Sequence, residues 1–260
     1  MPSPTLITPA SVKRRLNELG LRSKLRGRPR VQGRVLAPAG VFRRLPRTTG
    51  LFFPFYHDVL PEFAGDLSRH LSAFRRLGPL VSWDEALTIL AGRHPIDGPV
   101  FCLSFDDGHA SWLDVVVPML RELDAPAMFF LTTGLVGQPG NLTWGGCREI
   151  SAAGFDFGSH TVTHQRLADQ SADDARRELA DSKKQIEDEL GVEVRDFAAP
   201  YGSVVDFAGR EIALARGAGY RSFATTLRPA MHPGDSPLTI NRQGLHPAWP
   251  LWAVRTRVHD

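Results

Sequence analysis

Two short stretches hold the side chains best able to do chemistry. Asp106 and Asp107 stand together in Leu103-Ser104-Phe105-Asp106-Asp107-Gly108, directly after an apolar run. Neighbouring carboxylates in that setting must find partners or solvent, because a charge buried alone is costly. Alternation along a strand points the two in different directions, so one could bind a cation while the other handles protons. Taken alone, Asp-Asp-Gly is commonly a turn. His160 and His164 stand in Gly158-Ser159-His160-Thr161-Val162-Thr163-His164. A separation of four puts two imidazoles on one side of a helical turn, where both reach one ion. Nine histidines in the chain make a chance pair common. Joined by an aspartate, the pair makes a His, His, Asp set, three ligands with a position left open for water. Such a set suits Zn, and Co, Ni or Mn could also serve. A third stretch, Phe197-Ala198-Ala199-Pro200-Tyr201-Gly202, reads by itself as a turn.

All three stretches close predicted strands, where α/β folds place their active sites. Short β-rich runs occur at residues 51–56, 100–105, 127–131, 155–158, 196–199, 221–225 and 238–240. Helix-period segments lie between most of them. One carries Phe63, Leu67, Leu71, Phe74 and Leu77; another opens with Ser82 and Glu85 at capping-box spacing. The clearest runs from Ser171 to Leu190, with Ala175, Leu179, Ile186 and Leu190 on one stripe. The alternation predicts an α/β fold with a parallel sheet of about seven strands, open or closed into a barrel, slightly small for a complete eightfold one.

Composition narrows the classes. The 260 residues are 42% hydrophobic and 23% charged, which excludes wholesale disorder. No stretch approaches the roughly 20 apolar residues that span a bilayer. The start, Met1-Pro2-Ser3-Pro4-Thr5, lacks a secretory pattern, and Cys102 and Cys147 are too few for a disulfide framework. A cytoplasmic location is therefore expected. The net charge of +3 conceals a division: residues 1–47 carry twelve Lys/Arg against a single acid, Glu18. We expect a basic arm over residues 1–47 and one domain over residues 48–260. Val12, Leu16 and Leu19 could form one face of a short basic helix that meets an anionic membrane surface, which would make the protein peripheral there. A solvated tail is the plain alternative. Nucleic acid is a poor partner, since no aromatic accompanies the arginines before Phe42.

The three stretches, in this order, resemble the motifs of the NodB-type polysaccharide deacetylases, carbohydrate esterase family 4. The likeness extends from Val100 to about Thr226 and includes Pro118-Met119-Leu120, residues 127–131 and Leu142-Thr143-Trp144. It implies a distorted, incomplete (β/α) barrel and metal-dependent removal of acetyl groups from N-acetylated sugars or polysaccharide. Carried over, it implies that Asp107, His160 and His164 hold the metal and that Asp106 is the general base on the attacking water. The Tyr201 backbone N–H, after Pro200, would help hold the oxyanion. Pro200, Tyr201 and Trp144 are the substrate-contact candidates, while Trp249 and Trp252, like Trp144, could stack on sugars or simply pack in the core.

Two departures stand out. The family's third motif carries an Arg that pairs with the catalytic Asp, and position 198 is Ala here. Arg242, in a predicted late strand Thr239-Ile240-Asn241-Arg242, is the candidate replacement. The general acid expected after a late strand has only His246 and His259 to offer. Phe53-Pro54-Phe55-Tyr56-His57-Asp58 resembles instead the opening Tyr-His strand of relatives that act on exopolysaccharides, so His57 is assigned the acid role and His246 the second place. His109, where an aromatic is more usual, is expected to line the cleft without a metal role. Competing readings are an O-acetyl esterase or a deformylase on a lipid-linked sugar, and a non-catalytic glycan-binding relative that lost turnover through Ala198.

Overall fold

The computed structural model describes residues 49–259; the basic arm and the expected boundary at residue 47 lie outside them. Seven parallel strands form the main sheet, in the order β8-β7-β6-β5-β4-β2-β9. These are β2 (Pro54–Tyr56), β4 (Leu103–Asp107), β5 (Ala127–Leu131), β6 (Asp156–Ser159), β7 (Asp196–Ala198), β8 (Ser222–Ala224) and β9 (Gln243–Gly244). A smaller parallel pair joins β1 (Gly50–Phe52) to β3 (Pro99–Phe101). Thus the predicted runs at 51–56 and 100–105 each break in two. Pro54 has no N–H to give a ladder, and the Phe53 N–H donates to Gln243 Oε1 at 2.8 Å instead of to backbone.

The connecting helices are α1 (Ala64–Leu77), α2 (Trp83–Leu90), α3 (Val117–Glu122), α4 (Trp144–Ala152), α5 (Ala172–Leu190), α6 (Gly209–Gly217) and α7 (Leu251–His259). Both halves of the Ser82/Glu85 capping box form: Ser82 Oγ accepts from the Glu85 N–H at 3.2 Å, and the Ser82 N–H donates to Glu85 Oε2 at 2.8 Å. On α5, Ala175, Leu179 and Ile186 are buried along the expected stripe. No helix among the described residues is long and apolar enough to cross a membrane.

Strand alternation sorts side chains into two cores. Phe105, Phe129, Leu131, Phe157, Phe197 and Phe223 face the surrounding helices. Met128, Phe130, Ala198, Ala224 and Ile240 face the inside of the curl, whose floor is Trp83, Ala86, Ile89 and Leu90 of α2. Burial of these apolar faces is what holds the layers together.

The last predicted strand is not one. Residues 237–239 form a 3-10 turn. The segment after it bridges the two sheet edges: Ile240 exchanges hydrogen bonds with Phe223 and Thr225, and Gln243 donates to the Phe53 carbonyl at 3.0 Å. Two residues between those contacts, Asn241 and Arg242, therefore span the gap of an incomplete barrel. Arg242 lies between these contacts, fully buried.

Candidate functional site

The three chemical stretches come together at the C-terminal edge of the sheet. Asp106 is the last inward position of β4 and is 2% exposed. Arg242 grips it with both arms: Nη1 donates to Oδ1 at 2.7 Å and Nη2 to Oδ2 at 2.8 Å. The guanidinium also donates to Ser104 Oγ and to the Thr225 carbonyl, and it is sandwiched by Phe55 (4.4 Å) and Phe130 (5.2 Å). Every face of the buried cation is thus compensated, which a bidentate pair out of water requires. Ala198 is small and faces the same interior as Phe130. The cation missing from position 198 reaches Asp106 from the closing segment instead.

Asp107 turns the other way. Its Oδ1 is 3.2 Å from His164 Nε2 and 3.5 Å from His160 Nε2, and one ligand atom from each residue lies within 4.8 Å of the others. Its Oδ1 is buried and accepts no hydrogen bond. His160 Nδ1 is 2.7 Å from the Ala198 carbonyl. That contact needs the proton on Nδ1, which leaves an Nε2 lone pair aimed at a carboxylate. His164 Nε2 faces the same point, so each of the three residues offers it one ligand atom, a donor set that fits a divalent ion.

Titration follows the same geometry. Burial opposes the charge on Asp107, but His109, His164, His160 and His57 around it outweigh burial and hold its carboxyl well below the usual range. Burial pushes His160 down to about 4, with Asp106 and Asp107 opposing. His164 is raised, chiefly by its contact with Asp107 and against burial.

The two imidazoles do not converge through a helical turn, as their spacing predicts. Residues 160–166 are a loop, with Thr161 at φ 67° and His164 at φ 59°. Glu178 on α5 holds the loop by accepting from the Val162 and Thr163 N–H groups at 2.7 and 2.9 Å. Asp107 (φ 87°) and Tyr201 (φ 63°) are also left-handed, so four strained non-glycine residues surround one point. At Tyr201 the Gly202 N–H donates back to the Pro200 carbonyl at 2.7 Å, a tight three-residue turn. That turn leaves the Tyr201 N–H without a partner among the described residues. The Tyr201 ring stands 5.2 Å from the His164 ring and under Arg166, which itself pairs with Asp206.

His57 follows β2, and the pairing of Tyr56 with Phe105 brings it level with Asp106. Its exposed ring packs edge-on against Phe55, the ring that the Arg242 guanidinium also contacts. His246 follows β9 on the neighbouring strand and packs on Phe63. Trp144 opens α4 and packs against the outer core. Trp252 is 73% exposed and Trp249 37%, so core packing fails for both. Glu178 and Arg166 escape sequence reasoning, because nothing local to an amphipathic helix or a polar loop marks a partner far along the chain.

A family model described as polysaccharide deacetylase matches residues 94–223, half of the chain. The chain belongs to the polysaccharide deacetylase family. The structure of IcaB from Ammonifex degensii is similar at 27% identity, with a TM-score of 0.70, covering 81% of this chain and 98% of that one. The Streptococcus pyogenes deacetylase PplD, in complex with acetate, shares the fold at 22% identity and a TM-score of 0.68, covering 82% of this chain and 100% of that one. A bifunctional xylanase/deacetylase of Pseudobutyrivibrio xylanivorans is 28% identical over 116 residues, 44% of this chain and 18% of its own. The chain spans between 18% and 54% of the length of the curated relatives it matches. The curled, incomplete barrel is therefore the architecture of this deacetylase family.

Proposed function

We propose that residues 48–260 form one catalytic domain that removes acetyl groups from N-acetylated sugars or polysaccharide by metal-dependent hydrolysis. The observation that carries this reading is the orphaned Oδ1 of Asp107 facing two imidazoles, one residue from a carboxylate clamped by a buried guanidinium. Asp107, His160 and His164 would hold the ion, with Zn best suited to the donors and Co, Ni or Mn able to serve. When bound, a divalent ion supplies Lewis acidity, polarising the acyl oxygen and making water a better nucleophile.

The chain's own groups do the rest. Asp106 accepts the proton of the attacking water, and the two-armed contact from Arg242 fixes that carboxylate in direction. The Tyr201 N–H, free of a backbone partner, donates to the oxygen that gains charge as the carbonyl carbon becomes tetrahedral. His57 donates a proton to the departing amine, with His246 the second candidate. Pro200 and Tyr201 shape the wall beside His164.

The glycan-binding alternative depended on an Asp106 without a cation, and Arg242 removes its main support. Residues 1–47 are proposed to meet an anionic surface through their twelve Lys/Arg; vesicle partitioning that is unchanged when they are deleted would remove that idea. The activity itself is tested by acetate release from chitooligosaccharides, poly-N-acetylglucosamine and acetylated esters, with and without chelator. Release from the amides, lost on chelation and recovered with Zn, is expected. No acetate from any substrate by metal-loaded protein would overturn the reading, and release from the esters alone would move it to an esterase.

A further inference from the structure

We propose that His109 is a positioning residue: it holds Oδ2 of Asp107, so that Asp107 offers a metal ion one oxygen, Oδ1. The inference rests on the metal reading above and concerns a residue outside the three-ligand set.

The two oxygens of Asp107 occupy different settings. Oδ1 faces His164 and His160 and accepts no hydrogen bond, whereas Oδ2 lies 3.4 Å from His109 Nε2. The His109 side chain is 27% exposed, so the contact is largely shielded from water. Its backbone is fixed on both sides. His109 bridges Asn141 in antiparallel fashion and its carbonyl accepts from the Trp112 N–H at 3.1 Å. The Leu142 N–H donates to Gly108, and the Ala110 N–H to Gly140. Gly108 makes the approach possible: it has φ 105°, and a Cβ there would stand 2.7 Å from Leu131 Cδ1. A left-handed Asp107 followed by this glycine turns the chain so that the residue after next faces the carboxylate again.

A free carboxylate can swing and take an ion with both oxygens, occupying a second coordination position. Tethering one oxygen fixes the ring of donors and keeps that position open to water and substrate. Outer partners of this kind are worth about 10–100-fold in metal affinity. Phenylalanine would offer no donor, whereas a glutamine amide nitrogen sits close to where Nε2 does.

The test measures Zn²⁺ affinity of the full chain by competition with a chromophoric chelator, for wild type, H109A, H109F and H109Q, alongside urea unfolding of each metal-free protein. Expected is a loss of about 10–100-fold in H109A and H109F, substantial recovery in H109Q, and unfolding midpoints close to wild type. Equal affinity in wild type and H109A overturns the proposal, as does H109Q binding no better than H109F. Should H109A fail to fold, the H109F and H109Q pair decides by the same criterion. If wild type binds no Zn²⁺ at all, the metal reading itself fails; if wild type binds and the variants do not differ, this inference alone fails.

Discussion

The two ends of the seven-stranded sheet carry charged clusters of similar composition and opposite character. At the N-terminal edge, Asp196 opens β7 and both its oxygens are satisfied, Oδ2 by Arg221 Nη2 at 2.8 Å and Oδ1 by Ser222 Oγ at 2.6 Å. Arg221 also pairs with Asp84 at the start of α2, and Trp83 Nε1 donates to Ser222 Oγ. At the C-terminal edge, Asp106 is satisfied just as fully by Arg242, but Asp107 beside it keeps an orphaned oxygen, and it is one of four left-handed residues at that edge, with Thr161, His164 and Tyr201. A hollow of about 640 Å³ lies at the first end, beside Asp84 and Arg221. A saturated network holds structure together; unsatisfied donors kept in place by strained backbone mark a site built to receive something.

The comparison breaks most sharply at Asp106. D106N should lower kcat by about 10²–10⁴-fold, the usual worth of a general base, while Zn content by elemental analysis stays at the wild-type level. Full activity in that variant would show that the clamped carboxylate is only structural. R242Q leaves Asp106 buried without its cation, and should cost about 3–5 kcal/mol in urea unfolding together with activity. A small stability loss would mean that water reaches the pair. At the opposite end, D196N should cost about 1–3 kcal/mol, with kcat and Zn affinity unchanged; a fall in kcat would contradict the division between the two ends.

The smallest effect concerns pH. Burial lowers His70, whose ring lies between the Tyr56 hydroxyl (3.1 Å) and the Trp249 carbonyl (2.7 Å), with the carbonyl contact opposing the shift. His160 falls to about 4. Both have folded values below the unfolded one of about 6.5, so between the two the unfolded chain binds more protons. Their stabilisation is present above pH 6.5 and is lost as pH falls below it, for His160 toward about 4. The raised His164 works in the opposite sense over the same range, so the readout is a difference: as pH falls below 6.5, chelated H70Q should lose less urea midpoint than chelated wild type. A slope unchanged in H70Q would remove His70 from the account.

Much of this was legible in the linear chain because the signals are local. A continuous apolar run marks β5 and period-3.6 patterning marks α5, the capping box marks α2, and Asp106, Asp107, His160 and His164 announce themselves by type and spacing. The splitting of the first two strand runs was not legible, since it depends on Gln243 taking the Phe53 N–H from far along the chain. Nor was the loop that carries His164, because its shape is imposed by Glu178 and by left-handed residues that no propensity favours.

By itself, then, the sequence determined the strand and helix alternation, the two carboxylates facing opposite ways, and the set of donors able to take a metal. Only the tertiary structure decided which cation answers Asp106, which oxygen of Asp107 stays open, and that His109 faces the other. The physical reason is that pattern follows from each residue's neighbours in the chain. Pairing of buried charges depends instead on which distant segments the closing of the sheet brings within about 3 Å.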